Sequence, residues 1–240
     1  MYDFMDLKMS DMIRCGISIR SLGQNAKSME EAGSELVRYL FNRFIDRETG
    51  ERACALVRLF KTHDFDKLPE NLQNFARKLL TEKPLVSSFK CFTLIATAGI
   101  DNEWQAREKS KGHQAIPLPS KEVVHRIPMM RNLIKQMGLE VETVINPDPV
   151  LLRDLSQKTF NVFHVPDAVN SDYIPAQENF VRPYGIKSVL GFGGILPSGN
   201  VFSVIIFSRI PISEEVANMF NTLALNVKIL IMPFEDSVFS

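Results

Sequence analysis

Apolar residues recur at helical spacing after Ser28. Ala32, Leu36, Tyr39, Leu40 and Phe44 share one face, with Glu35, Arg38, Asn42 and Arg43 between them. Ser28 stands three residues before Glu31, the spacing of a capping box, so the pattern predicts a helix over 28–46. The period then changes. Beyond a polar turn at 47–50, residues 53–60 form a short apolar run interrupted only by Arg58, which predicts a strand. Leu72, Phe75, Ala76, Leu79 and Leu80 make a second helical stripe between Pro69 and Pro84. The sequence CFTLIATAG at 91–99 is rich in β-branched and aromatic residues and ends in glycine, as a second strand would.

The middle of the chain is less regular. Residues 101–112 are polar, and HQAIPLP at 113–119 suits an edge strand or a loop, because each proline removes a ladder donor. Residues 128–137 predict a helix closed by Gly138 in a left-handed cap. The helical LLRDLSQK at 151–158 leads into FNVFHV at 160–165, a further strand. Residues 185–196 and 201–209 are strand-like runs joined by Pro-Ser-Gly-Asn, the chemistry of a hairpin turn. Ser213 then caps a helix opened by Glu214 and Glu215, with Val216, Met219, Phe220, Leu223, Val227 and Leu230 along one side to about residue 231. Residues 9–21 alternate less clearly and suit a further helix, reaching out to a partner or extending the domain upstream.

Helix, strands, an irregular middle, a hairpin and a closing helix predict an α+β layer architecture. Its last third resembles the GAF family of signalling modules. The resemblance lies in FVRPYGIKSVLGFGGILPSGNVFSVIIFSR followed by ISEEVANMFNTLALNVKILI. Tyr184, Gly185 and Ile186 stand as the entry, 188–190 as the strand, Gly199 in the loop, 201–207 as the next strand, and Leu223 with Ala224 in the helix. The resemblance implies a GAF-like central antiparallel sheet flanked by N- and C-terminal helices, spanning 28–232. An N-terminal helical extension would occupy 1–27 and a tail 233–240. It also implies a pocket under mobile loops, dimerisation through the terminal helices, and signalling to a partner or output domain such as a histidine kinase.

Lys and Arg total 28, as do Asp and Glu, so the chain has no general attraction for nucleic acid. The N-terminal MYDFMDLKMSD carries acids where a signal peptide carries bases. No run reaches the roughly 18 consecutive apolar residues of a membrane helix, and a cytoplasmic location is expected. Cys15, Cys54 and Cys91 are odd in number and widely spaced, which suits buried reduced thiols and argues against a zinc site.

Trp104, Arg107, His113 and Gln114 lie in the irregular middle, where Trp and Arg could stack on or grip a planar or anionic small molecule. The alternative there is a surface loop with one buried tryptophan. Phe163 and His164 are neighbours on a strand and must point to opposite faces; Val162, His164 and Pro166 share one of them. His164 reads as a half-buried histidine with one backbone partner, or as a pocket ligand, even an axial ligand to haem. Tyr173 and Tyr184 complete the candidate ligand-binding set. Gly191, Gly193 and Gly194 lie inside a strand, not between a strand and a helix, so they are no phosphate loop; close backbone approach or a bulge explains them. No nucleophile elbow or metal-ligand spacing appears, so neither catalytic nor metal residues are assigned and the cofactor is unknown. A ligand-sensing module is the leading expectation. A small-molecule enzyme using the same pocket and a ligand-free interaction scaffold are the alternatives.

Overall fold

The run interrupted by Arg58 becomes β1 (Cys54–Asp64), at the middle of a six-stranded sheet. The structure, a computed structural model, describes residues 1–80, 88–147 and 160–240. β1 pairs antiparallel with β2 (Lys90–Gly99) and with β6 (Val201–Ser208). β3 (Ala115–Leu118) lies outside β2, while β5 (Ser188–Ile195) and β4 (Phe163–Val165) follow beyond β6, giving the order β3-β2-β1-β6-β5-β4. Every pairing is antiparallel. This is the expected α+β class, an antiparallel sheet flanked by helices from both ends of the chain.

β1 runs four residues past the expected end. Lys61, Thr62 and His63 are polar yet buried, because the C-terminal tail brings the Phe239 ring within 5.5 Å of the His63 ring and β6 offers its Val201 amide to the Thr62 hydroxyl. The proline-containing segment 113–119 is indeed an edge: β3 takes only residues 115–118, with Pro117 opposite Cys91.

One face of the sheet carries the terminal helices. α1 (Met9–Arg20) packs on the last helix, and α2 (Met29–Arg43) lies across β1 and β2. Residues 9–21 therefore do not reach away from the domain: Met12, Cys15 and Ile19 are buried in the same core as α2. The outer side of α1 exposes Met9, Ile13 and Ile17, spaced by four, and Met5 in the turn before it is exposed too. Ser28 caps α2 as expected, its hydroxyl accepting from the Glu31 amide at 3.1 Å. The Glu31 carboxylate accepts from the Lys27 amide, one residue earlier than a capping box requires. The helix stops at Arg43 because Phe44 bridges to Tyr2 and Ile45 to Arg52.

The C-terminal helix is two segments, α3 (Glu70–Leu79) being the next helix in chain order and α7 (Glu214–Met219) and α8 (Asn221–Ile231) the last. A turn at Phe220 separates α7 from α8, and that ring is buried against Phe4, Phe44 and Phe192. The run 214–234 is long and apolar enough to cross a membrane by length and composition, but Leu223, Val227, Leu230 and Ile231 are buried in the core. Leu225, Ile229 and Met232 remain exposed. Residues 233–240 are docked: the Met29 and Glu30 amides donate to the Ser237 and Val238 carbonyls, both at 2.9 Å, satisfying donors that a helix start leaves open.

The other face is covered by α4 (Lys121–His125), α5 (Pro128–Gln136) and α6 (Val141–Ile145). Leu133 and Ile134 of α5 and Val144 of α6 pack with Leu56, Phe60 and Leu94 of the sheet. Only α5 was legible as a helix. The expected helix at 151–158, and Pro84, lie outside the described residues. In the hairpin, β5 and β6 pair without a break from Ser188 opposite Ser208 to Ile195 opposite Val201. A Cβ on Gly193 would stand 2.0 Å from the Phe202 carbonyl oxygen, so close backbone approach, and no bulge, explains that glycine.

Candidate functional site

The face beneath α4–α6 holds a charge that pattern reading passes over. Leu56 and Phe60 point to this side while Val57 and Leu59 point to the other, so strand alternation sends Arg58 here too. Arg58 is opposite Thr97 on β2 and 7% exposed. Its Nη2 donates to Ser110 Oγ at 3.4 Å, a long bond, and its Nε has no partner among the described residues. Burial pulls its pKa down to about 10.

The connection between β2 and β3 lies over this edge. Its first turn carries Trp104, whose carbonyl accepts from the Thr97 hydroxyl at 3.0 Å. The indole sits against Gly99, where a Cβ would come within 2.8 Å of the ring. Its ring centroid is 4.3 Å from that of Tyr184 and 5.3 Å from that of Phe180. The Tyr184 hydroxyl donates to Asp101 Oδ2 at 2.6 Å, which raises the phenol pKa and lowers that of the carboxyl. Trp104 and Tyr184, eighty residues apart in sequence, are thus brought together.

The other candidates disperse. Arg107 is buried on the helix side of the same connection, donating to Glu30 Oε1 at 3.0 Å, paired with Glu108 at 2.7 Å and lying over the Phe239 ring. Gln114 spends its amide on the Glu108 and Ser110 carbonyls and so fixes the loop. His113 is exposed, three residues beyond Ser110. Phe163 is fully buried beside Gly191 and Leu133. His164 faces the opposite side, where its Nε2 lies 3.0 Å from the Ile212 carbonyl and its backbone amide donates to Gln136. One ring nitrogen is therefore occupied by backbone, the half-buried arrangement, and burial lowers its pKa. Tyr173 is a surface residue, 40% exposed. The eight residues do not line one pocket.

Arg58 is the residue that sequence reasoning missed, although its signal was present: a lone cation inside an apolar strand. Among the described residues no group of three His, Cys, Asp or Glu side chains could hold a metal ion. The three cysteines are buried and unpaired; burial pushes the Cys15 and Cys91 thiols up to about 12 and raises that of Cys54 as well. Thiolate chemistry is therefore disfavoured at all three. A separate surface cavity of about 350 Å³ lies between α1 and α2, lined by Tyr2, Arg14, Ile17, Ser18, Tyr39 and Arg43 with Met1.

No protein-family model matches this sequence, and no curated protein matches it. Among solved structures, it is similar over 94% of its length to the GAF domain of a phosphoenolpyruvate-protein phosphotransferase from Coxiella burnetii, covering 95% of that chain at 13% identity with a TM-score of 0.45. The corresponding Acinetobacter domain gives 12% identity and a TM-score of 0.39, with 94% of this chain and 93% of that one covered. The phycocyanobilin-bound GAF domain of a cyanobacterial phytochrome gives 10% identity and a TM-score of 0.40, with 95% and 96% covered.

Proposed function

We propose that this chain is a GAF-like regulatory module that pairs with a second copy through α1 and α8 and responds to a small molecule held under the β2–β3 connection. The observation that carries the pairing is the apolar stripe on α1 and α8. Ile13 is 58% exposed and Leu225 63%, although the opposite sides of the same two helices are buried in the core. Met5, Met9, Ile17, Ile229 and Met232 extend the stripe. Large apolar residues exposed along one side of a helix mark candidate interaction surfaces, and a stripe of residues four apart is the pattern helices use to pack on one another.

The responding half is supported by the way the connection is held. It touches Arg58 through Ser110 on one face of the sheet and α2 through Arg107 on the other. A change at Arg58 can therefore bias how α2 sits, and α2 packs against α8. The output would be a signalling partner or domain, a histidine kinase being one such transmitter.

Light scattering and native mass spectrometry at micromolar concentration test the pairing. The expected mass is twice 27.2 kDa, falling to the single-chain value in Ile13→Lys combined with Leu225→Lys. A single-chain mass for the unaltered protein at every micromolar concentration would refute it.

A further inference from the structure

Two buried arginines, Arg107 in the β2–β3 connection and Arg58 on β1 in contact with it, are treated differently. Arg107 has two carboxylates, Glu30 and Glu108. Arg58, equally buried, has none among the described residues; it has one long bond to a neutral hydroxyl and an Nε with no acceptor. Burying an unpaired charge is costly, and the charge is normally matched by a counter-ion or by hydrogen bonds to most of its donors. Among the described residues neither is supplied to Arg58. Thr97, opposite it on β2, spends its hydroxyl on the Trp104 carbonyl, and Ile205, opposite it on β6, is apolar.

We propose that Arg58, with Ser110, forms a binding subsite for the carboxylate of a small molecule. A guanidinium presents parallel N–H donors that match the two oxygens of a carboxylate. Its single positive charge is balanced by one negative charge, whereas a phosphate dianion would leave an excess charge buried. Ser110 is 2% exposed and its hydroxyl already meets Nη2, so it can turn a proton toward a bound oxygen. The site builds on the sensing half of the function proposed above, and binding is measured independently of pairing.

The test is an NMR titration of the full chain, following the Arg58 Nε–H resonance with sodium acetate and sodium benzoate. Acetamide, benzamide and sodium phosphate at matched ionic strength serve as controls. The expected result is a saturable shift with the carboxylates only, with affinity reduced about tenfold or more in Arg58→Met and less in Ser110→Ala. Should Arg58→Met fail to fold, the titration of the unaltered protein and of Ser110→Ala decides. No saturable shift, an equal shift with the amides, or a preference for phosphate would each overturn the proposal. Carboxylate binding by a chain that stays single supports this site while removing the pairing, so the two ideas fail separately.

Discussion

Arg107 donates through Nε to Glu30 Oε1 at 3.0 Å, joining the connection after β2 to the first turn of α2. The Phe239 ring lies 5.1 Å from the same guanidinium, and the Ser240 amide points to the second oxygen of Glu30 at 3.4 Å. Three parts of the chain that are remote in sequence therefore close on one ion pair. An acid in the first turn also complements the helix dipole, so Glu30 is held from both sides.

Removing Arg107 should therefore loosen more than one contact. Arg107→Ala is expected to lower stability by about 2 kcal/mol, the scale of a largely buried charged hydrogen bond. It should also raise amide exchange at Met29 and Glu30, whose donors depend on the docked tail. Denaturant unfolding with hydrogen exchange checks both; unchanged exchange at those two amides would show that the tail docks independently.

The glycines of the hairpin make a sharper test because they differ in what surrounds them. Gly193→Ala forces a Cβ into the Phe202 carbonyl and should cost roughly 3 kcal/mol or more. At Gly194 a Cβ would meet the Phe202 ring at 3.4 Å and the Phe160 ring at 3.7 Å, ordinary contacts, so Gly194→Ala should cost under about 1 kcal/mol. Thermal unfolding of the pair separates them, and equal losses would contradict the described register.

Trp104 is the single tryptophan, so its emission reports one environment. Tyr184→Phe keeps the ring against the indole but removes the bond to Asp101. Water should then reach the indole more easily and shift its emission to longer wavelength, with little change in stability. An unaltered spectrum would mean that ring packing alone fixes Trp104.

Two buried bases give the chain a pH dependence. Burial, then the Lys61 charge, lowers the His63 pKa to about 3, and its Nδ1 has no partner among the described residues. The unfolded chain takes up this proton near the ordinary value of about 6.5, so stability should fall as pH drops from 6.5 toward 3. Burial holds Lys61 at about 8, with Glu235 and Asp64 raising it and Lys90 and Lys67 lowering it further. The folded form loses this proton first, so stability should rise between pH 8 and about 10.5. His63→Gln should flatten the acid limb and Lys61→Met the alkaline one. Unfolding measured across pH tests each limb, and slopes unchanged by the substitutions would assign them to other groups.

Wherever local chemistry suffices, the sequence is a sound guide. Ser28 and Ser213 cap their helices through hydroxyl oxygens that accept from the amide three residues on. Gly138 closes α5 with a φ of 76°, and Pro-Ser-Gly-Asn turns the hairpin. Apolar runs, residue type and turn chemistry identified five of the six strands, with β3, one of the two edges, left open as strand or loop.

What stayed illegible depends on partners distant in sequence. Lys61 and His63 look like the end of a strand, yet the tail that comes to cover them lies about 175 residues further on. Trp104, Arg107, His113 and Gln114 share the irregular middle, but Glu30 draws Arg107 to the helix side and only the fold brings Trp104 against Tyr184. Arg58 shows the division most plainly. Its position in an apolar run is written in the sequence, but that no carboxylate meets it among the described residues is decided only when β2, β6 and the connection over them are brought together.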